Sequence, residues 1–272
     1  MNFSKIEGTS NDFILTDELS SPSPEDAIRL CDRRRGIGGD GLILVLPSDN
    51  ADFRMRIINS DGSEAQMCGN GMRCFYLFLE RKMLVGPGTK VMVETLAGPI
   101  GVERADSERI RVDMGPPILS APKIPAIQTE GKVIDSPLTV ENHEYRITAV
   151  SMGNPHAVVF TDDLSDKMVL ALGPAFERHS FFPERVNTEF IRIINRSEMD
   201  MRVYERGAGE TFACGTGACA AVVAGRLNGL VDESVTVHLR GGDLMIEWDG
   251  NEKNPVFLTG PARHVFDGFI EF

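Results

Sequence analysis

Met55-Arg56-Ile57-Ile58-Asn59-Ser60-Asp61-Gly62-Ser63-Glu64-Ala65-Gln66-Met67-Cys68-Gly69-Asn70-Gly71 and Met201-Arg202-Val203-Tyr204-Glu205-Arg206-Gly207-Ala208-Gly209-Glu210-Thr211-Phe212-Ala213-Cys214-Gly215-Thr216-Gly217 are two versions of one segment, 146 positions apart. They align without gaps, and six of the seventeen positions are identical. A shift close to half of a 272-residue chain marks a duplicated unit rather than a many-repeat array. In both versions an apolar, β-branched run (53–58 and 199–204) reads as a strand and leads into a Gly-rich polar turn. Cys-Gly-x-Gly follows, and then a Pro-free run (72–83 and 218–227) that reads as a helix. These helices are apolar almost all the way round, so they need enclosure on every side. Short β-rich segments at 42–46, 90–94, 110–113, 145–151, 157–160, 190–194, 234–238 and 244–248 supply it. The expected fold is α+β, with two pseudo-symmetric domains. Each is a curled, barrel-like mixed β-sheet around a central helix with a cysteine at the helix N-terminus, and the cleft between the domains is the expected active site.

Composition agrees with a globular protein of this size. Hydrophobic residues make up 42% and charged residues 25%. A net charge of −12 argues against nucleic-acid binding, which needs a surplus of Lys and Arg on one face. No apolar stretch reaches the ~18–20 residues of a membrane span. The first residues, Met1-Asn2-Phe3-Ser4-Lys5-Ile6-Glu7-Gly8, do not read as a secretory signal. Five cysteines without disulfide-scaffold spacing are then expected as free thiols in a reducing cytoplasm.

Two cysteines at helix N-termini carry a specific chemical meaning. A helix N-terminus offers partial positive charge and unpaired N–H groups, which favour a thiolate and also bind a carboxylate. Gly69 and Gly215, lacking side chains, let a ligand approach that backbone. If one small anion were held by both helix ends, Cys68 and Cys214 would stand on its two faces. Removal of a proton from one face of an α-carbon and its return to the other needs one base and one acid so opposed. Cys31, Cys74 and Cys219 lack the Gly-flanked setting and read as packing. The spacing of the cysteines and histidines fits no zinc site, and no metal or other cofactor is signalled.

Gly36-Ile37-Gly38-Gly39-Asp40-Gly41 satisfies the dinucleotide pattern G-x-G-x-x-G. That pattern has its physical meaning between a strand and a following helix. Here a helical segment (24–35) precedes it and a strand follows, so the glycines are expected to cap a helix and turn the chain.

The stretch Asn59 to Arg73 resembles the signature of the diaminopimelate epimerases. So do Lys5-x-x-Gly8-x-x-Asn11-Asp12-Phe13, Ser151-Met152-Gly153-Asn154-Pro155-His156, Arg185-Val186-Asn187, Tyr204 to Thr211, Ala213 to Gly217 and Gly260-Pro261-Ala262. The resemblance implies interconversion of LL- and meso-2,6-diaminopimelate without pyridoxal phosphate, in the supply of lysine and peptidoglycan precursors. It also implies a homodimer and a C-terminal segment that returns to the first domain, giving spans of 1–117 plus 263–272 and 118–262. Carried over by motif, Cys68 and Cys214 are the acid/base pair. Gly69, Asn70, Gly215 and Thr216 hold the reacting carboxylate, Glu205 meets the α-ammonium, and His156 tunes the thiols. Asn11, Asn59, Asn154, Asn187 and Arg206 recognise the substrate, most of them at its distal end. Two amino-acid ends demand two sets of partners, and Arg and Asn suit the task. Some family members have Gln where this chain has Gly41 and others have Gly there, so the departure weakens that one substrate contact alone. The rival readings are a related amino-acid racemase, for example one acting on histidine, and a redox sensor in which the two cysteines form a disulfide.

Overall fold

The computed structural model describes residues 1–128 and 130–271. Thr129 and Phe272, which belong to the expected second and first domain spans, lie outside the described residues. The chain is a two-domain α+β protein whose compact units are Met1–Asp113 with Thr259–Phe272, and Met114–Leu258.

In the first unit, β1 (Asn2–Gly8) and β2 (Asn11–Thr16) form a hairpin. Its two-residue turn, Thr9-Ser10, has φ of 57° and 63°. Helix α1 (Pro24–Cys31) begins with Ser23 and Asp26 in a reciprocal capping box and Pro24 at its first turn. It stops four residues short of the run expected from sequence. Asp32 bends the chain there by accepting the Arg34 and Arg35 N–H groups. The glycine run then supplies N–H groups to the helix's last carbonyls, Ile37 and Gly38 to Leu30 and Gly39 to Cys31. Next come β3 (Gly41–Leu46), β4 (Phe53–Asn59), the short β5 (Glu64–Ala65), α2 (Gly69–Arg81), β6 (Val91–Thr95), β7 (Gly98–Arg104) and β8 (Arg109–Asp113). β2–β3 and β4–β6 are parallel pairs, whereas β3–β4, β4–β5, β6–β7 and β7–β8 are antiparallel.

The second unit repeats this order of pairings. Its elements are β9 (Ser136–Val140), β10 (His143–Ser151), β11 (Pro155–Phe160), the short α3 (Gly173–Glu177), β12 (Asn187–Asn195), β13 (Glu198–Glu205), β14 (Gly209–Thr211), α4 (Gly215–Leu227), β15 (Ser234–Leu239) and β16 (Gly242–Glu247). β10–β11 is antiparallel and β11–β12 parallel; β12–β13 and β13–β14 are antiparallel, β13–β15 parallel and β15–β16 antiparallel. Strand β17 (Phe257–Pro261) follows, and β18 (Arg263–Phe269) then pairs antiparallel with β1, so the chain's end lies in the first unit.

Both long helices are buried, as their composition requires. α2 encloses Met72, Cys74, Phe75, Tyr76, Phe78 and Leu79. Burying each of the large apolar side chains is worth about 1.5–3 kcal/mol. α2 departs from the all-apolar expectation in one respect: Arg73 is also fully buried. Its guanidinium donates to Pro261 O, Gly69 O, Thr9 Oγ1 and Asn70 Oδ1. α4 is built of Ala, Val and Gly and is buried from Gly217 to Gly225. Small side chains let it approach closely, and a Cβ on Gly225 would fall 2.8 Å from Val231 Cγ2.

Candidate active site

Cys68 and Cys214 occupy the same local pose in their respective units. Each is the N-cap of a 13-residue helix with extended backbone, φ/ψ −146°/118° and −128°/106°. Each sulfur accepts the backbone N–H three residues on, Gly71 to Cys68 and Gly217 to Cys214, both at 3.4 Å. A cysteine takes the part that Ser, Thr or Asp usually plays at an N-cap, and the bond favours negative charge on sulfur.

Around Cys68 the neighbour is Asn11, at the start of β2, whose Oδ1 lies 3.8 Å from the sulfur. The Asn11 amide is oriented from behind, because its Nδ2 donates to Asp40 Oδ2 at 2.7 Å. Asp40 also accepts the Asp12 N–H and an Arg33 guanidinium N–H. The glycine run that mimics a dinucleotide loop therefore presents Asp40 to Asn11. Asp12 is held well below the usual carboxylate range. Burial acts upward on it, and the hydrogen bonds and charge of Arg33 and Lys5 overcome that effect. Gly69 and Asn70 form the first turn of α2. The Asn70 side chain is buried against Arg73, 3.0 Å away, so what its position offers a ligand is backbone. Asn59, at the end of β4, donates through Nδ2 to Ser63 Oγ at 3.0 Å.

Around Cys214 the setting is charged. The Glu205 carboxylate, near enough to Cys214 to act on its charge, accepts a hydrogen bond from Thr211 Oγ1. Thr216 Oγ1 is 3.5 Å from the sulfur. Burial pushes the Cys214 thiol well up, the carboxylates of Glu205 and Glu189 push it further, and the bonds from Thr216 and Gly217 only partly oppose them. Glu205 itself is raised by burial, against the Thr211 bond and the proximity of His156. His156, on β11, is fully buried. Its Nδ1 is 2.7 Å from Glu189 Oε1 and its Nε2 is 2.9 Å from Asn154 Oδ1. Asn187 donates to Pro155 O and accepts the Arg206 N–H, both at 2.9 Å, which ties the start of β12 to the end of β13. The exposed Arg206 guanidinium donates to Glu184 O.

The structure thus groups Asn154, His156 and Glu189, and beside them Glu205, Thr211, Cys214 and Thr216. Glu189, Asp40 and Thr211 were not among the residues expected from sequence. Glu189 had a readable signal. It lies two residues past Asn187 on a strand, so it faces the same side, and a carboxylate is out of place on an inward face. The other cysteines cap no helix N-terminus. Burial pushes Cys31 up to about 11 and also raises Cys74, which makes both poor nucleophiles. Among the described residues no group of three or more His, Cys, Asp or Glu side chains could hold a metal ion.

Comparison with known proteins follows the same residues. The diaminopimelate epimerase family model matches residues 3–120 and 148–265, one stretch in each half. A diaminopimelate epimerase of Moorella thermoacetica is 51% identical over 276 residues, covering 98% of both chains. One from Methanococcus maripaludis is 47% identical and covers both chains completely. Among solved structures, a Bacillus anthracis phenazine biosynthesis protein of the PhzF family superposes with a TM-score of 0.71 at 18% identity, over 100% of this chain and 99% of its own. A hydroxyproline epimerase from Agrobacterium vitis gives 0.69 at 17% identity, over 98% and 91%. At such identities these two structures speak to the fold alone.

Proposed function

The chain belongs to the diaminopimelate epimerase family, and on that premise we propose that it interconverts LL- and meso-2,6-diaminopimelate with Cys68 and Cys214 as its two bases. It is an isomerase that works without pyridoxal phosphate, in the supply of lysine and peptidoglycan precursors. One sulfur, as thiolate, takes the α-proton from one face of the substrate. The other, as thiol, delivers its own proton to the opposite face. Afterwards the first sulfur is the thiol and the second the thiolate, so the enzyme is poised for the reverse direction. The carbanion-like transition state delocalises charge into the carboxylate, where N–H groups of Gly69, Asn70, Gly215 and Thr216 stabilise it. Glu205 and His156 set the charge around the thiols. Asn11, Asn59, Asn154, Asn187 and Arg206 hold the substrate's polar ends.

The observation that carries this reading is the shared N-cap pose of the two cysteines, each with its sulfur on a helix-end N–H. The burial of Cys214 and the carboxylates beside it, which raise its thiol, support Cys214 as the proton donor of the resting enzyme and Cys68 as its base. The repeated order of strand pairings supports two pseudo-symmetric domains, each a barrel-like sheet around its helix, with the substrate in the cleft between them. A cytoplasmic homodimer completes the proposal. The test is Cα proton exchange from heavy water into both diaminopimelate stereoisomers by wild type, Cys68→Ala and Cys214→Ala. Wild type should exchange and epimerise. Each alanine variant should lose epimerisation by at least ~100-fold, the scale of a lost acid–base group. Full epimerisation by either variant would end the two-base assignment.

A further inference from the structure

His156 has an oxygen acceptor at each ring nitrogen. Glu189 Oε1 is 2.7 Å from Nδ1 and Asn154 Oδ1 is 2.9 Å from Nε2. With the Asn154 amide presenting its oxygen, as it does here, a neutral imidazole, which carries a single N–H, would set a lone pair against one of these oxygens; only the doubly protonated ring donates to both. The compensating charge is next to it. Glu189 and His156 are each 0% exposed, and a buried charge persists only when paired. The pairing is built into the sheet. β11 and β12 run parallel, with His156 opposite Asn187 and Val158 opposite Glu189, so the Glu189 side chain lies on the same face as the imidazole, one step along. Glu189 Oε2 has no hydrogen-bond partner among the described residues. The bond to His156 is thus the carboxylate's anchor, and an orphaned buried oxygen of this kind is costly to keep for packing alone.

Glu189 also reaches the other side of the site. A Cβ on Gly217 would stand 2.7 Å from Glu189 Oε1 and 3.2 Å from Cys214 Sγ. Gly217 is the residue whose N–H caps that sulfur. One carboxylate is therefore packed between the His156 ring and the capped thiol, with Glu205 facing the same sulfur from the end of β13.

We propose that Glu189 is a positioning residue of the active site, whose buried carboxylate holds His156 as a doubly protonated ring fixed between Glu189 and Asn154. His156 then acts as a stationary cation across Glu189 from the Cys214 thiol and transfers no proton itself. The inference rests on the reading that His156 serves the two cysteines, and its test separates the two. Enzyme labelled with ¹⁵N-histidine is examined by NMR at neutral pH, the His156 signals being assigned by their loss in His156→Asn. Wild type should show both ring nitrogens protonated, whether or not it turns over diaminopimelate. In Glu189→Gln, which keeps size and removes charge, one ring nitrogen should be unprotonated. In the same variant kcat should fall about 10- to 100-fold with KM changed much less, the range seen when the partner orienting a functional imidazole is removed. Asn154→Asp, which presents only acceptor oxygens to the ring, should keep both nitrogens protonated. A neutral ring in wild type, or an unaltered ring in Glu189→Gln, would overturn the proposal, and so would an altered ring with undiminished kcat. Failure of wild type to epimerise diaminopimelate would instead refute the proposed function and leave the ring measurement standing.

Discussion

Cys68 and Cys214 share a backbone pose, and the charge each one meets is different. Cys68 sits beside the neutral Asn11 amide; Cys214 is enclosed with the carboxylates of Glu205 and Glu189. Burial first, and then the nearby negative charge, penalise the thiolate, so the Cys214 thiol is raised and stays protonated at neutral pH. In Cys68→Ala, alkylation of Cys214 by iodoacetamide should therefore be slow at neutral pH and accelerate only in alkaline solution. Adding Glu205→Gln removes one of the penalising charges, which lowers the thiol's pKa. The rise in alkylation rate should then shift to lower pH, measured by mass spectrometry of the Cys214 peptide. An unshifted profile would mean that Glu205 does not act on that sulfur. Asn59 and Glu205 occupy equivalent positions in the repeat, each nine residues before its cysteine, so this one exchange makes a symmetric frame asymmetric.

Among the elements, α2 and α4 were the most legible in the sequence, because a duplicated Cys-Gly-x-Gly before an apolar run leaves few alternatives. The central strands were legible for the same reason: β3, β4, β12 and β13 are apolar and bounded by turns. The hairpin β1–β2 and the returning β18 were not read as strands. β18 is mostly exposed and pairs with a strand at the opposite end of the chain, and no local pattern encodes that register. Arg73 was hidden for a related reason. A sequence shows a charge in a helix without showing that the acceptors for it, Thr9 and Pro261, come from distant segments. Arg73→Met keeps the bulk and deletes the donors, leaving buried acceptors unpaired at a cost of about 3 kcal/mol. Its urea midpoint should fall accordingly with an unchanged slope. A midpoint equal to that of wild type would show that these bonds add nothing to the first unit.

At the scale of the whole molecule the two-base proposal makes a demand that neither unit can meet alone. Proton transfer needs each sulfur within ~3–3.5 Å of the substrate's α-carbon, on opposite faces, so the sulfurs are roughly 6–7 Å apart in the working complex. A disulfide needs about 2 Å between sulfurs and ~4.4–6.8 Å between the Cα atoms. Loss of the intervening substrate and a few ångströms of closure would take the first geometry to the second. Diamide, by accepting two electrons and two protons from the pair of thiols, should therefore form a single Cys68–Cys214 bond in substrate-free enzyme. Activity should be lost as that bond forms, substrate should protect against it, and dithiothreitol should restore turnover. Cys31, Cys74 and Cys219 cap no helix and have no part in holding the substrate, so they should stay unlinked, which peptide mapping would show. If the bond formed and turnover were undiminished, the sulfurs could not both be bases. If diamide linked other cysteines and never this pair, the two units could not bring their capped thiols to one carbon centre, and the mechanism would have to be built from one unit alone.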